Sequence, residues 1–144
     1  MKDDKMDKVA AVAKIEAHKS AREFSETQKT HGEKVAQLEQ LVQFKADYER
    51  TLMAKGSAGM DARQFQDYRL FLTRLNEAIA QQTAELQGSE ASLSAVREEW
   101  VSNTQRNQAL DQLGEDRHKE RVRAQEKVDQ KRADDDSLSR GKGQ

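Results

Sequence analysis

Three histidines and 26 carboxylates are the side chains with the most chemistry to offer, and cysteine is absent. A metal site or an acid–base pair needs such groups to converge, on a helix through spacings such as i, i+4. His18, His31 and His118 lie far apart, and none stands four residues from another ligand-type side chain. The carboxylates are interleaved with 25 lysines and arginines, which is the pattern of solvated helix faces. Shifting a pKa into catalytic service takes a concave, water-excluding pocket, and a thin helical rod has none. The residues therefore predict no active site, no metal and no cofactor.

Two other features invite a binding role. Trp100 belongs to a residue type enriched at protein interfaces, but it also falls in an apolar helical series that would bury it between helices. The segment "RHKERVR", residues 117 to 123, could meet phosphates. Glu120 and the flanking acids dilute it, and the near balance of charge gives no overall field toward nucleic acid or an anionic membrane. No nucleic-acid partner is expected. The amino-terminal "MKDDKMDKVA" lacks the apolar core of a signal peptide, and no run is long enough to span a bilayer. With no cysteine to oxidise, the cytoplasm is the simplest location.

The elements that carry these residues are helices. Proline is absent and only 35% of the chain is apolar, so long amphipathic helices are expected in place of a large globular core. The stretch "AKGSAGMDA", residues 54 to 62, holds three permissive residues, Gly56, Ser57 and Gly59, followed by Asp61 as a candidate N-cap. It predicts one helix over about residues 4–54, a turn at about 55–60, a second helix over about 61–136 and a disordered tail at about 137–144. Phe65, Tyr68, Leu72, Leu75, Ile79, Gln82, Leu86, Ser89, Leu93, Val96 and Trp100 hold an unbroken three–four alternation, the signature of a coiled-coil seam. A matching series from Met6 to Leu52 is weaker and turns polar at Thr27, His31 and Lys34.

Folding the chain back at the turn pairs the two series when residue numbers sum to about 116 or 117. Tyr48 then meets Tyr68, Leu41 meets Leu75, Phe24 meets Leu93, and large Trp100 falls opposite small Ala17. The expected fold is all-α: an antiparallel coiled-coil hairpin, a single domain with the second helix longer. Helix 1 runs out near Leu110, leaving the charged segment "EDRHKERVRAQEKVDQKRADDD" without a partner from Gly114 onward. Near the turn Val42, Phe44, Leu70, Phe71 and Ala78 exceed what a two-stranded seam can cover. Such an excess marks a partner site, or wraps over the turn.

At these residues the sequence resembles the FliJ family of flagellar type III export proteins. The likeness runs from "LEQLVQFKADYERTL" through the turn into "FQDYRLFLTRLNEAIAQQTAEL" and on to "SAVREEW", with a looser echo in "EKVDQKRADDDSLSR". The resemblance implies a non-enzymatic cytoplasmic stalk, peripheral to the membrane export apparatus. It would insert into a hexameric export ATPase like FliI, promote its ring assembly, contact an export gate protein like FlhA, and in some members escort export chaperones. The implied gate surface is Gln37, Leu41, Phe44 and Tyr48 on the first helix with Phe71, Leu75, Ala78 and Gln82 on the second. The implied ATPase contacts are Arg117, Arg121, Arg123, Lys127, Lys131 and Arg132. Two alternatives stand beside it: the equivalent stalk of a virulence secretion system, and a homodimeric coiled-coil scaffold.

Overall fold

The computed structural model describes residues 2–142. It contains two helices, α1 (Lys2–Ala58) and α2 (Ala62–Lys142), and the fold is the expected all-α antiparallel hairpin with the longer helix second. Helix is the default for a proline-free chain rich in Ala, Leu, Gln, Glu, Lys and Arg. The break between the helices is chemical. Gly59 takes φ +95°, a conformation that glycine adopts without Cβ strain, and its amide donates to Gly56 O at 3.3 Å. Asp61 caps α2: its Oδ1 accepts from Gln64 N at 2.8 Å, and its carbonyl accepts from Phe65 N at 3.1 Å.

The helices outlast their expected ends on both sides. Gly56 and Ser57 remain in α1, with the Ser57 hydroxyl donating back to Met53 O at 3.0 Å. The region expected as a disordered tail is helical as far as Lys142, and residues 143–144 lie outside the described residues. No chain breaker stands between Asp134 and Ser139. Helix propagation therefore continues one hydrogen bond at a time.

Contacts group the chain into two units, Met1–His18 with Val101–Gln144, and Lys19–Trp100. In the Lys19–Trp100 unit, Ser20, Leu75 and Ser89 are buried between the helices. Tyr48 meets Tyr68 as the register requires, with ring centroids 5.2 Å apart. Phe24 departs from expectation: it stacks on Trp100, centroids 5.1 Å apart and planes 4° from parallel, where Leu93 had been expected. The reason is the lean of helical side chains toward their own N-terminus. The side chains of Phe24 and Trp100 lean toward each other in this way, and their rings meet about two turns off the expected pairing, whereas Tyr48 and Tyr68 keep it.

In the other unit the seam is built from small side chains, with Ala13 and Ala17 buried. Glu16 and Arg106 form an ion pair at 3.5 Å beside them. Buried Asn107 Oδ1 has no hydrogen-bond partner. Met6, Asp7 and Ala10 face Leu110, Leu113, Gly114, Arg117 and Arg121 across a small cavity. This corrects the expected start of the overhang: the partnered stretch runs to Arg121 rather than stopping before Gly114. The long arginine side chains lean back along α2 and reach the start of α1. Beyond Arg121 every described side chain of α2 is exposed.

Candidate functional site

Near the turn, four rings contributed by both helices form one connected array. Tyr48 and Phe71 lie 4.6 Å apart, Tyr48 and Tyr68 5.2 Å, Phe44 and Phe71 6.1 Å, and Phe44 and Tyr48 6.3 Å, all measured between centroids. The tilted and edge-on geometries suit the ring quadrupoles, each such pair adding about 0.5–1.5 kcal/mol beyond area burial. Despite these contacts Phe44 remains 50% exposed and Phe71 39% exposed. The array is both a clasp for the helices and an aromatic surface open to solvent.

The expected gate residues divide according to this geometry. Phe44, Tyr48 and Phe71 share the array, while Gln82 Nε2 donates to Gln37 Oε1 at 3.4 Å across the helices. Leu41 and Ala78 are half-buried. Leu75 is only 7% exposed, so it supports the surface from within the seam. Val42 is not brought into the array. It lies two residues from Phe44, which rotates it about 200° around α1.

Lys55 was missed by pattern reading because nothing in its neighbours distinguishes it from other surface lysines. Its Nζ donates to Tyr68 Oη at 2.6 Å and sits 5.3 Å from the Tyr68 ring centroid. The hydrogen bond to Tyr68 raises the Lys55 pKa above 10.5. Burial raises the Tyr48 pKa above 10.0, with Tyr68 adding to it. Both shifts favour the low-pH form, an ammonium at Lys55 and a neutral phenol at Tyr48.

His31 stands in the polar middle of the Lys19–Trp100 unit, where its Nδ1 and Ser89 Oγ are 3.0 Å apart. A hydroxyl beside an imidazole is the first half of a nucleophilic dyad. The backbone amides around Ser89 are committed to the α2 ladder, so no oxyanion donors face it. The groove beside the pair, lined by Glu26, Thr30, Lys34, Glu85, Ser89 and Ser92, is open to water. The contact acts as a polar pairing across the seam. His18 and His118 are exposed. Among the described residues no group of three His, Cys, Asp or Glu could hold a metal ion, and no helix is long and apolar enough to cross a membrane.

The expected ATPase contacts also divide. Arg117 and Arg121 line the cavity facing Met6, Asp7 and Ala10. Arg123, Lys127, Lys131 and Arg132 are exposed on the single helix beyond. That stretch is braced by amide–carboxylate pairs four residues apart, Gln125 to Asp129 at 3.1 Å and Gln130 to Asp134 at 3.3 Å. Such pairs add a few tenths of a kcal/mol, about 0.2–0.5 each.

Comparison with known proteins gives a single answer. Residues 1–142 match the sequence profile of the family FliJ, described as Flagellar FliJ protein. A curated relative, the Flagellar FliJ protein of Escherichia coli (strain K12), is 26% identical over 124 residues, which cover 86% of this chain and 84% of the relative. No solved structure matches the chain.

Proposed function

Because this chain belongs to the flagellar FliJ protein family, a family of flagellar export components, we propose that it is the non-enzymatic stalk of the export apparatus, linking the hexameric export ATPase to the export gate. The charged helix beyond Arg121 engages the ATPase ring through Arg123, Lys127, Lys131 and Arg132, with Arg117 and Arg121 supporting it beside the start of α1. The aromatic array engages the gate protein, with Gln37, Leu41, Ala78 and Gln82 at its border and Leu75 beneath. Promotion of ring assembly follows from one helix contacting several ATPase subunits at once. Escort of export chaperones is a further role of the same kind. The family match favours the flagellar system over a virulence counterpart.

The observation that carries this reading is the exposure of Phe44 and Phe71 within an ordered ring array. Rigid, half-exposed aromatic side chains lose little conformational entropy on binding and are typical anchors of protein interfaces. A membrane location needs no membrane span, since the gate contact supplies it.

The test is binding of purified gate protein and export ATPase to the full chain and to two variants. Phe71→Ala is expected to weaken gate binding tenfold or more, on the order of 1.4 kcal/mol or above, with helicity and ATPase binding unchanged. Charge reversal at Arg123, Lys127, Lys131 and Arg132 is expected to do the opposite, losing the ATPase and keeping the gate. A Phe71→Ala chain that loses helicity in proportion to gate binding would show the array to be structural only.

A further inference from the structure

A second apolar stripe runs along α1 on the side turned away from Phe44. Its members are Val35, Val42, Ala46 and Met53, separated by seven, four and seven residues. At about 100° per residue these four fall within roughly 20–40° of one another around the helix. Val42 is 50% exposed and Met53 74% exposed, while Val35 and Ala46 are half-buried. The pairing of the two helices within the Lys19–Trp100 unit therefore leaves this stripe largely uncovered. The aromatic array does not account for it either.

The spacing of the stripe reads the same in both directions. Seven–four–seven is symmetric about the midpoint between Val42 and Ala46, which is the condition for a two-fold contact between identical helices. In such a contact residue i meets j and j meets i. From this we infer that a second copy of this chain covers the stripe, with its α1 antiparallel to the first. Val42 then packs on Ala46 of the second copy, and Val35 packs on Met53 of the second copy.

Size and charge agree with that arrangement. Ala46 at the centre lets the backbones approach, and the larger Val and Met fill the ends, as interdigitating layers require. On one border of the stripe stand Glu39 and Arg50, the latter also ion-paired with Asp47 of its own helix, and the same two-fold relation brings Glu39 of one copy within about one residue of Arg50 of the other. Opposite charges thus meet at both ends. The contact runs from Val35 to Met53, about 27 Å of helix, and one helix-on-helix seam of that length falls below the area of a standard stable interface. The dimer is accordingly weak, forming at micromolar concentrations and above. The inference does not rest on the proposed export role: Phe44 and Phe71 point away from the two-fold seam and stay available in the dimer.

The chain's lack of cysteine makes cross-linking a clean test. Full-length Val42→Cys and Ala46→Cys chains are mixed under mild oxidation and compared with each variant by itself. The mixture is expected to give at least tenfold more disulfide-linked dimer than either variant separately, because only the 42–46 pairing brings the sulfurs into range. Sedimentation of the unaltered chain should show the average mass rising from 16.4 kDa toward twice that value with concentration. Val42→Asp should abolish the rise while helicity is retained. A monomer at all concentrations, no preference for the 42–46 mixture, or equal cross-linking of Phe71→Cys chains would each overturn the inference. Gate binding by Phe71→Ala is read separately, so either conclusion can fail without the other.

Discussion

Around Tyr48 and Phe71 the helices meet through aromatic rings, whereas around Ala13 and Asn107 they meet through methyl groups and one amide. The first arrangement buries no large side chain completely. Leu75 is the only large hydrophobic residue described as buried there, and the rings stay half in solvent. The second closes tightly, leaving Ala13 1% exposed, at the cost of an unsatisfied carbonyl on Asn107. A two-stranded seam is too narrow to enclose a phenyl ring, and only small side chains can vanish into it. The difference separates two uses of one fold. Where rings protrude the hairpin has a surface to offer, and where alanines close the seam it has only a grip.

Leu75→Ala tests the ring-bearing region most severely. Truncating a buried leucine should cost about 2–4 kcal/mol, read from the urea midpoint followed by circular dichroism, and should loosen Tyr48 and Phe71 above it. A loss below about 1 kcal/mol would mean that the rings, and not Leu75, hold this part together. Asn107→Leu probes the small-residue seam in the opposite direction. Removing a buried, unpaired acceptor is expected to raise stability by about 1–2 kcal/mol. If the variant is instead destabilised, the amide has a structural partner and the seam is as well satisfied as the rest.

The smallest effect concerns Lys55 and its phenols. A raised lysine pKa means that the cluster's contribution is whole below the unfolded value near 10.5 and fades as pH climbs through the folded one. The raised Tyr48 pKa has the same sign, because folding there opposes ionisation of the phenol. The melting temperature should thus fall as pH passes upward from about 10, and the Lys55→Met chain should show a shallower fall. Identical slopes in the two chains would remove Lys55 from the clasp.

Much of this was legible because helices report their own periodicity. The series from Phe65 to Trp100, the glycine turn and the Asp61 cap are local signals. Each depends on residues within a few positions: Asp61 caps α2 as expected, whereas α1 runs on through Gly56 and Ser57 so that the break falls at Gly59, and Phe65, expected in the seam, is 46% exposed. The exposed aromatic surface was legible as an excess: Phe44 and Phe71 were too many apolar side chains for one seam. Pattern counting could not separate Val42 from that excess, because only rotation about α1 distinguishes the two sides.

The sequence by itself determined that this chain forms two long antiparallel helices with a turn near residues 55–60, since propensity, seam spacing and the absence of proline all act over short range; the structure narrowed the break to Gly59. Tertiary structure decided which side chains meet across the seam. The stacking of Phe24 on Trp100, the cover that the start of α1 extends to Arg121, and the contact of Lys55 with Tyr68 all depend on how far long side chains lean and reach between helices. That reach is set by rotamers and by the partner's shape, which are properties of the packed pair and of neither helix alone.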